Sequence, residues 1–349
     1  MFAFYVTAEA LSKMVLAGSD EYEILKLQNC VYVELDDSKI AVYRDEYRSD
    51  AFSESNIIME LESSDCVIKH SDAIMEVKNN PDSLSNYADC VFIVDKNEQW
   101  AKNVTAQYGV LVLSQDKIDL SSLVLHDYYT CVKQEKGIWD EVLEKIRTLP
   151  FNTILINDRN LFSDIYKNGE ETHRFGVDNL KSILNSMLTF RRPCVNMPIH
   201  VFVGFDLDAE KQNFSKINKE FRRSFSDIID NSNIIIELVA YQTSSSFWED
   251  SHNRWIVTNY GCFTFDHKIS IFQKDNKACV DQDINYHSLY AMGIKDHNPA
   301  KLPKRSRDVK IQRIKSIFVD VLKMPNDYKY SINGEIDTPN KIQNRLLVS

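Results

Sequence analysis

The sequence predicts an α/β fold in two domains, the first mixed α/β and the second an α/β sandwich with a largely parallel central sheet. Three observations support this. The chain has 349 residues, which is long for a single hydrophobic core. Short apolar segments rich in β-branched residues alternate with amphipathic helical segments in both halves. A helical pattern over residues 134–149, closed by Pro150, links the two halves.

The composition is that of an ordinary globular protein, with 44% hydrophobic and 26% charged residues. No apolar run approaches the roughly 20 residues needed to span a bilayer, and the N-terminus lacks the basic start of a signal peptide. The seven cysteines are scattered without a CxxC pair, which argues against a disulfide framework and a cysteine-type zinc site. These features predict a cytoplasmic protein without a membrane span.

The net charge of -10 is unevenly distributed. Residues 301–349, predicted as a basic helix over 304–324 and a tail, hold 11 basic and 5 acidic residues, whereas the remainder holds 30 and 46. An acidic body does not attract nucleic acid at long range, so any such contact must be local. The basic segment is one candidate for that contact, and a solvated helix is the alternative.

Residues 1–133 form the first predicted domain. Its clearest unit spans residues 88–114: a strand at 90–94, a helix over 97–108, Gly109 as the helix cap and a strand at 110–113. This βαβ pattern favours parallel pairing. Further strands are predicted at residues 2–6, 30–35, 39–43, 56–61 and 66–69, with a helix over 8–17.

Acidic residues flank the strand of that unit, with Asp89 before it and Asp95 after it. Near the first strand the only further carboxylate is Glu9, and Glu76 with Lys78 forms an ExK pair. The unit resembles PIN-type metal-dependent nucleases, and the ExK pair resembles half of a restriction-type nuclease site. A sensor or recruitment domain that binds a protein partner is the alternative for this half.

The second domain, residues 151–300, alternates strands and helices. Strands are predicted at 153–156, 200–205 and 233–241, and helices over 177–190 and 209–229. This alternation indicates a largely parallel sheet with helices on its faces. Polar groups at the C-terminal ends of such strands are the usual place for a site.

A predicted hairpin follows, with strands at 255–257 and 262–265. His252 and Arg254 are two residues apart and project to one face of an extended strand, and the turn can bring Asn259 back towards them. An imidazole can attack phosphorus, a guanidinium can grip two phosphate oxygens, and an amide can orient the ring. Ser244 and Ser246, in the polar loop before the hairpin, are further phosphate-binding candidates. The alternative is a half-buried hairpin with one polar edge.

The hairpin segment HNRWIVTN, an HxRxxxxN pattern, resembles the HxKxxxxD motif of the phospholipase D superfamily. The resemblance covers residues 151–300. It implies that His252 is the nucleophile, that Arg254 clamps the phosphate in place of lysine, and that Asn259 stands at the aspartate position. It implies no cofactor and no metal. Tyrosyl-DNA phosphodiesterases carry Asn at that last position, whereas an HxR version occurs in a lipid-associating domain of microtubule-interacting-and-transport proteins without evident catalysis.

Phospholipase D-type chemistry needs two histidines, and only His252 among the eight is followed two residues later by a cation. The second motif copy would therefore come from another chain, which predicts a homodimer. His267, adjacent to Lys268, is a further candidate for the acid, or an ordinary strand residue.

Three functions remain open from the sequence. The first is a phospholipase D-type phosphodiesterase or nuclease acting on nucleic acid, whose layout suits a microbial, antiviral defence effector by fold analogy alone. The alternative is a non-catalytic module that binds phosphate, a lipid headgroup or a protein. The third is a metal-dependent nuclease in residues 1–133, with the second domain as a partner-binding unit.

Overall fold

The computed structural model describes residues 3–17, 25, 30–35, 66–87, 90–94, 99–114, 123, 126–131, 138–162, 166–167, 170–171, 175–190, 196–206, 213–231, 233–241, 254–272, 282–288, 328–336 and 344–348. These residues form an α/β protein, as predicted, with a parallel five-stranded sheet, a mixed nine-stranded sheet and a two-stranded ribbon. The chain divides into two compact units, Met1–Val124 with Val195–Met197, and Leu125–Cys194 with Pro198–Ser349.

The first unit is built on the parallel sheet, whose strand order is β3-β2-β1-β4-β5. The chain starts in the middle, winds to one side and then to the other, which is a doubly wound order. All four residues of β4 are buried, as expected where both faces of a sheet are covered. The elements are β1 (Phe4–Val6), α1 (Ala8–Ala17), β2 (Cys30–Val33), β3 (Val67–His70), α2 (Ala73–Asn79), a 3-10 helix (Pro81–Tyr87), β4 (Val91–Val94), α3 (Gln99–Tyr108) and β5 (Leu111–Ser114).

The predicted βαβ unit is confirmed, because β4 pairs in parallel with β5 and α3 connects them. Gly109 directly follows the helix with φ 66°, and its amide donates to the carbonyl of Thr105. A residue without Cβ adopts this left-handed conformation at little cost, which makes Gly109 a helix cap. The strands predicted at 39–43 and 56–61 lie outside the described residues.

The second unit is built on the nine-stranded sheet, in the order β16-β15-β11-β10-β7-β12-β13-β14-β6. Its elements are β6 (His126–Cys131), α4 (Ile138–Lys145), β7 (Thr153–Asn157), β8 (Tyr166–Lys167), β9 (Glu170–Glu171), α5 (Phe175–Phe190), β10 (Ile199–Asp206), α6 (Phe214–Asn231), β11 (Ile234–Tyr241), β12 (Arg254–Thr258), β13 (Gly261–Phe265), β14 (Gln282–Ser288), β15 (Tyr328–Ile332), β16 (Glu335–Ile336) and α7 (Arg345–Val348). Strands β8 and β9 form the separate ribbon.

The expectation of a largely parallel sheet holds for only three neighbouring strands, β7, β10 and β11, and is wrong for the sheet as a whole. These three are joined through α5 and α6, and a helical crossover allows parallel pairing. Strand β12 pairs antiparallel with β7, and β13, β14 and β6 continue antiparallel outwards. A tight turn such as the one between β12 and β13 can join only antiparallel strands.

Strand β6 and helix α4 belong to this second unit, although the sequence places them before the second domain. Strand β6 pairs with β14. In α4, Trp139 Nε1 donates to Ser186 Oγ of α5 at 2.8 Å, and the Trp139 ring packs on Phe263 of β13 at 5.1 Å between centroids. The segment predicted to link the two halves is therefore part of the hydrophobic core of the second unit.

The apolar stripes predicted for α5 and α6 are buried as expected. Helix α6 begins five residues later than predicted, because Asn213 caps it: its side-chain Oδ1 accepts the amide of Ser215 at 2.9 Å. The buried residues are Leu180, Ile183, Leu184 and Met187 in α5, and Phe214, Ile217, Phe221, Phe225 and Ile228 in α6.

Gly176, in the first turn of α5, is packed directly against the backbone of residues 161–162. A Cβ at this position would overlap the carbonyl oxygen of Leu161 and lie 3.0 Å from the Cα of Phe162. We expect Gly176→Ala to lower the free energy of unfolding by about 1–3 kcal/mol, because overpacking outweighs the gain in helix propensity. Urea unfolding measures this loss. Asn185→Ala, at an exposed position of the same helix, is the control and is expected to change stability little.

The C-terminal part of the chain completes one edge of the sheet. Strand β15 pairs antiparallel with β11, and β16 with β15. Asn333 and Gly334 form the turn with φ 50° and 81°, the conformation that Asn-Gly turns favour. The sequence predicts only a tail after residue 324, although its Asn-Gly pair is typical of a hairpin turn. The basic helix predicted over 304–324 lies outside the described residues.

None of the helices in the described part of the chain is both long and apolar enough to cross a membrane.

Candidate functional site

At one end of the strands of the nine-stranded sheet, the last residues of some strands lie beside the first residue of a neighbouring strand. The parallel strands β7 and β10 end there at Asn157 and Asp206, and β12 runs antiparallel to β7, so it begins there at Arg254. Strand β13 ends there too, with Phe265 paired to Arg254. We call this side the carboxyl edge; it comprises residues 157–159, 206, 254 and 265–269.

Asp158 is the fully buried centre of the carboxyl edge. Its Oδ1 accepts the amide of Asn160 at 2.9 Å, and its Oδ2 accepts the amide of Ile269 at 2.6 Å. Burial raises the pKa of Asp158, because loss of water disfavours the charged form, while the two amides, Arg254 and Lys268 act in the opposite direction. A buried carboxylate persists only with such partners, so Asp158 joins three chain segments.

Arg254 lies against this carboxylate, and its side chain is 16% exposed. Its Nε is 3.5 Å from Asp158 Oδ1, an ion-pair distance rather than a hydrogen bond. Its Nη1 donates to the main-chain carbonyl of Asp266 at 3.1 Å. Within the described residues Nη2 makes no hydrogen bond or ion pair. Among the described residues, the guanidinium is thus held by one carboxylate and one main-chain carbonyl at the carboxyl edge.

A second guanidinium lies at the same edge. Arg159 Nε is 3.1 Å from Oδ2 of the fully buried Asp206, and the Arg159 side chain is 39% exposed. The backbone reinforces the pair, since the amide of Asp206 donates to the carbonyl of Arg159 and the amide of Asp158 to that of Gly204. Each of the two buried carboxylates is therefore matched by an arginine.

The bend after β13, residues 266–269, is fixed on both sides. Ile269 is held through its amide by Asp158 and through its carbonyl by Asn179 Nδ2 of α5, at 2.8 Å. Asp266 Oδ1 accepts the amides of His267 at 2.9 Å and of Asp283 at 3.1 Å. The His267 side chain is 71% exposed, with its Nε2 3.6 Å from Asp266 Oδ2. The bend therefore presents an imidazole at the carboxyl edge.

Asn259 lies at the opposite end of β12 from Arg254, five residues and roughly 16 Å along the strand. It is fully buried, and its Oδ1 accepts the amides of Asn152 at 2.9 Å and Thr153 at 3.1 Å. Its Nδ2 donates to Asn152 Oδ1 at 2.9 Å. Asn259 thus fastens the hairpin turn to the start of β7, and the structure does not bring it together with Arg254.

Three other residues selected from the sequence, His252, Ser244 and Ser246, lie outside the described residues. Three residues of the carboxyl edge are not among the predicted site residues: Asp158, Arg159 and Asp206. All three were visible as charged residues that follow or end buried strands, which is the position where parallel sheets place their sites.

The acidic candidates of the first unit are engaged locally. Glu9 pairs with Lys13 at 3.3 Å on α1. Glu76 Oε2 accepts the hydroxyl of Tyr87 at 3.0 Å, and burial together with this bond raises the pKa of Tyr87 to about 12. Asp89 and Asp95 lie outside the described residues. Across the described part of the chain, no three His, Cys, Asp or Glu side chains form a group that can hold a metal ion.

Neither a protein-family model nor a curated protein matches the chain. Among solved structures, it is similar to phosphatidylserine synthase from Haemophilus influenzae Rd KW20, with 10% identity over 82% of this chain and 61% of that one and a TM-score of 0.27. Drosophila Piwi matches with 11% identity, 87% and 43% coverage and a TM-score of 0.18. Aquifex aeolicus Argonaute matches with 7% identity, 86% and 44% coverage and a TM-score of 0.18.

The chain spans less than two thirds of the length of each of these three structures. At such low scores and identities the similarity carries no argument about function.

Proposed function

We propose that the protein is a phosphodiesterase of the phospholipase D type that acts on nucleic acid and binds the scissile phosphate at the carboxyl edge. The observation that carries this proposal is the guanidinium of Arg254, which Asp158 and Asp266 hold in place and whose Nη2 has no hydrogen-bond acceptor among the described residues. A planar fork with a spare donor at the ends of central parallel strands suits a phosphate oxygen.

His252 is the nucleophile in this proposal. It precedes Arg254 by two residues, so the Cα atoms of the two residues are at most about 7 Å apart. The imidazole forms a bond to phosphorus and the bond from phosphorus to the leaving nucleoside oxygen breaks, which leaves the remaining nucleotide chain linked through its phosphate to His252; water then hydrolyses this phosphorus–nitrogen bond. Ser244 and Ser246 add hydrogen bonds to the phosphate. Asn259 contributes by fastening the hairpin to β7.

A second candidate is a non-catalytic module that binds phosphate groups. It is favoured by the engagement of Arg254 with Asp158, because a guanidinium already paired with a carboxylate offers an anion less than its full charge. The homodimer, a protein partner for the first unit, a cytoplasmic setting and a role in antiviral defence are further parts of the hypothesis drawn from the sequence.

Binding and cleavage of labelled single- and double-stranded DNA and RNA in excess chelator test the proposal. We expect cleavage that persists in chelator, and an affinity about 10- to 100-fold lower for Arg254→Ala, because a charge-assisted contact is lost. Arg254→Lys is also expected to bind more weakly. Because this variant keeps a positive charge beside the buried Asp158, it should fold normally, so its weaker binding reports the loss of the planar guanidinium. Arg147→Ala, an exposed arginine on the same unit, is the control.

The outcomes separate the candidates. Cleavage that chelator abolishes would assign the activity to metal-dependent chemistry and overturn the proposal. Binding that falls in Arg254→Ala without any cleavage by the unmodified protein would support the non-catalytic module. Equal loss of affinity in Arg147→Ala and Arg254→Ala would indicate general electrostatic attraction rather than a site at the carboxyl edge.

A further inference from the structure

Helix α6 carries its charged side chains in two separate groups. Residues 214–223 hold four basic side chains and one acidic side chain, whereas residues 224–231 hold two acidic side chains and no basic one. The four basic side chains are all exposed: Lys216, Lys219, Arg222 and Arg223. We call these four side chains the basic ridge. Because the whole chain has a net charge of -10, the basic ridge is a local exception to its charge.

The buried face of α6 fixes the direction in which the basic ridge points. Phe214, Ile217 and Phe221 are buried on the sheet side of the helix. Asn218 is also buried, and its Nδ2 donates to the carbonyl of Gly334 at 2.8 Å. Apolar burial and this hydrogen bond prevent the helix from rotating about its axis. The basic ridge is therefore a defined surface of the second unit.

The basic ridge begins close to the carboxyl edge. Strand β10 ends at this edge with Asp206, and the ring of Phe214, the first residue of α6, stacks on Phe205 with 6.4 Å between centroids. The carboxylate of Asp206 binds Arg159 Nε at 3.1 Å, and Arg159 directly follows the aspartate that pairs with Arg254. A series of contacts thus leads from Arg254 across β7 and β10 to the start of α6.

Two members of the basic ridge have carboxylate partners, but both ion pairs lie at the surface. Arg222 Nη2 is 3.4 Å from Glu335 Oε1, and these side chains are 61% and 74% exposed. Arg223 pairs with Glu220, and the Arg223 side chain is 53% exposed. Exposed ion pairs stabilise a protein little, because water and salt screen them. A phosphate group can therefore compete for these guanidinium groups.

We propose that the basic ridge binds the phosphate backbone of the nucleic-acid strand whose scissile phosphate lies at the carboxyl edge. The inference rests on the proposed function for the choice of nucleic acid, and it adds that the substrate is a polynucleotide rather than a dinucleotide. Charge complementarity selects this occupant, because the basic ridge extends about 10 Å along the helix and a nucleic-acid strand carries a charge at every nucleotide. An acidic protein repels such a strand at long range, so it needs a local basic surface to hold it.

The salt dependence of binding measures the contacts with phosphate. Each contact adds about 0.7 to the slope of log K against log salt for a single strand. We expect the double variant Lys216→Ala/Lys219→Ala to reduce the slope for a labelled single strand of about 20 nucleotides by about 1.4, and the affinity roughly 10- to 30-fold at about 0.1 M salt. The loss should be the same for different base sequences, since phosphate contacts do not read bases. Both lysines are exposed, so the variant is expected to fold normally.

The matched control is Lys69→Ala/Lys102→Ala, which removes two exposed lysines from the first unit and changes the net charge equally. Its slope should equal that of the unmodified protein. Equal reductions for the two double variants, an unchanged slope for the ridge variant, or no binding of DNA or RNA by the unmodified protein would each overturn the inference.

A short substrate separates the basic ridge from the carboxyl edge. A nucleoside p-nitrophenyl phosphodiester contains one phosphate and does not extend to α6, so the ridge variant should cleave it at the rate of the unmodified protein in excess chelator. An equal loss of rate on this substrate and on the oligonucleotide would contradict a separate backbone-binding surface. If the unmodified protein binds the strand with the expected change in slope but cleaves neither substrate, the proposed function fails, whereas the basic ridge stands as a nucleic-acid-binding surface.

Discussion

Replacement of Asn344 by alanine is expected to lower the free energy of unfolding by about 3–5 kcal/mol, because it leaves several buried polar groups without partners. Asn344 is fully buried and immediately precedes α7. Its Oδ1 accepts the Thr153 hydroxyl at 2.8 Å and the amide of Leu346 at 3.1 Å, and its Nδ2 donates to the carbonyl of His200 at 3.0 Å. Urea unfolding followed by circular dichroism measures the loss.

Leu347→Ala, a half-exposed position three residues further on, provides the matched control. It removes apolar side-chain atoms without touching the hydrogen-bond network, so a loss of about 1 kcal/mol is expected. Similar losses for the two variants would contradict the prediction. They would mean that α7 stabilises the second unit through apolar contacts alone.

Glu237 belongs to the same buried hydrogen-bond network as Asn344, and it shows why the sequence does not predict this network. It lies in the strongly apolar strand β11 and is fully buried. Its two oxygens accept the Tyr330 hydroxyl at 2.8 Å and the amide of Asn344 at 3.0 Å. These partners are 93 and 107 residues away along the chain, and no local pattern connects them to the strand. Residues from the C-terminal part of the chain thus supply the hydrogen bonds that this buried carboxylate needs.

The order of strands and helices is predictable because it depends on local periodicity. Helices α5 and α6 bury the stripes expected of them, and β4, α3 and β5 form the expected parallel unit. The pairing of strands depends on contacts between distant segments. The sequence therefore predicts the hairpin of β12 and β13, which the structure confirms, but not its antiparallel pairing with β7 or the further strands β14 and β6.

Local patterns likewise predict some residues of the candidate site, whereas others depend on contacts between distant segments. Arg254 was selected because its spacing from His252 is local, and the structure holds it at the carboxyl edge. The pairing of Asp158 with Arg254, in contrast, follows only once β12 is known to pair with β7. Asn259 is the contrasting case, since the HxRxxxxN spacing and the turn predict a place beside Arg254. Its amide instead binds the start of β7, more than 100 residues earlier.

His252→Ala is expected to lower the rate of nucleic-acid cleavage at least a thousandfold, because the variant lacks the atom that forms the bond to phosphorus. The binding of the substrate should change little, since Arg254 and its partners Asp158 and Asp266 stay in place. A large change in kcat with a small change in affinity is the pattern of a lost transition-state interaction. Initial rates on an end-labelled oligonucleotide in excess chelator, together with direct binding measurements, provide both quantities.

Two further measurements separate a nucleophile from a residue that only supports the fold. Free imidazole added to His252→Ala should restore part of the cleavage, because a small nucleophile can occupy the space of the missing ring. The unmodified protein, quenched in alkali during turnover, should carry the remaining part of the oligonucleotide linked through its phosphate to His252, whereas His70→Ala should behave in both respects like the unmodified protein. If the rate of His252→Ala stays within tenfold of that of the unmodified protein, His252 is not the nucleophile. Arg254 would then be a binding residue in a module without phospholipase D-type chemistry.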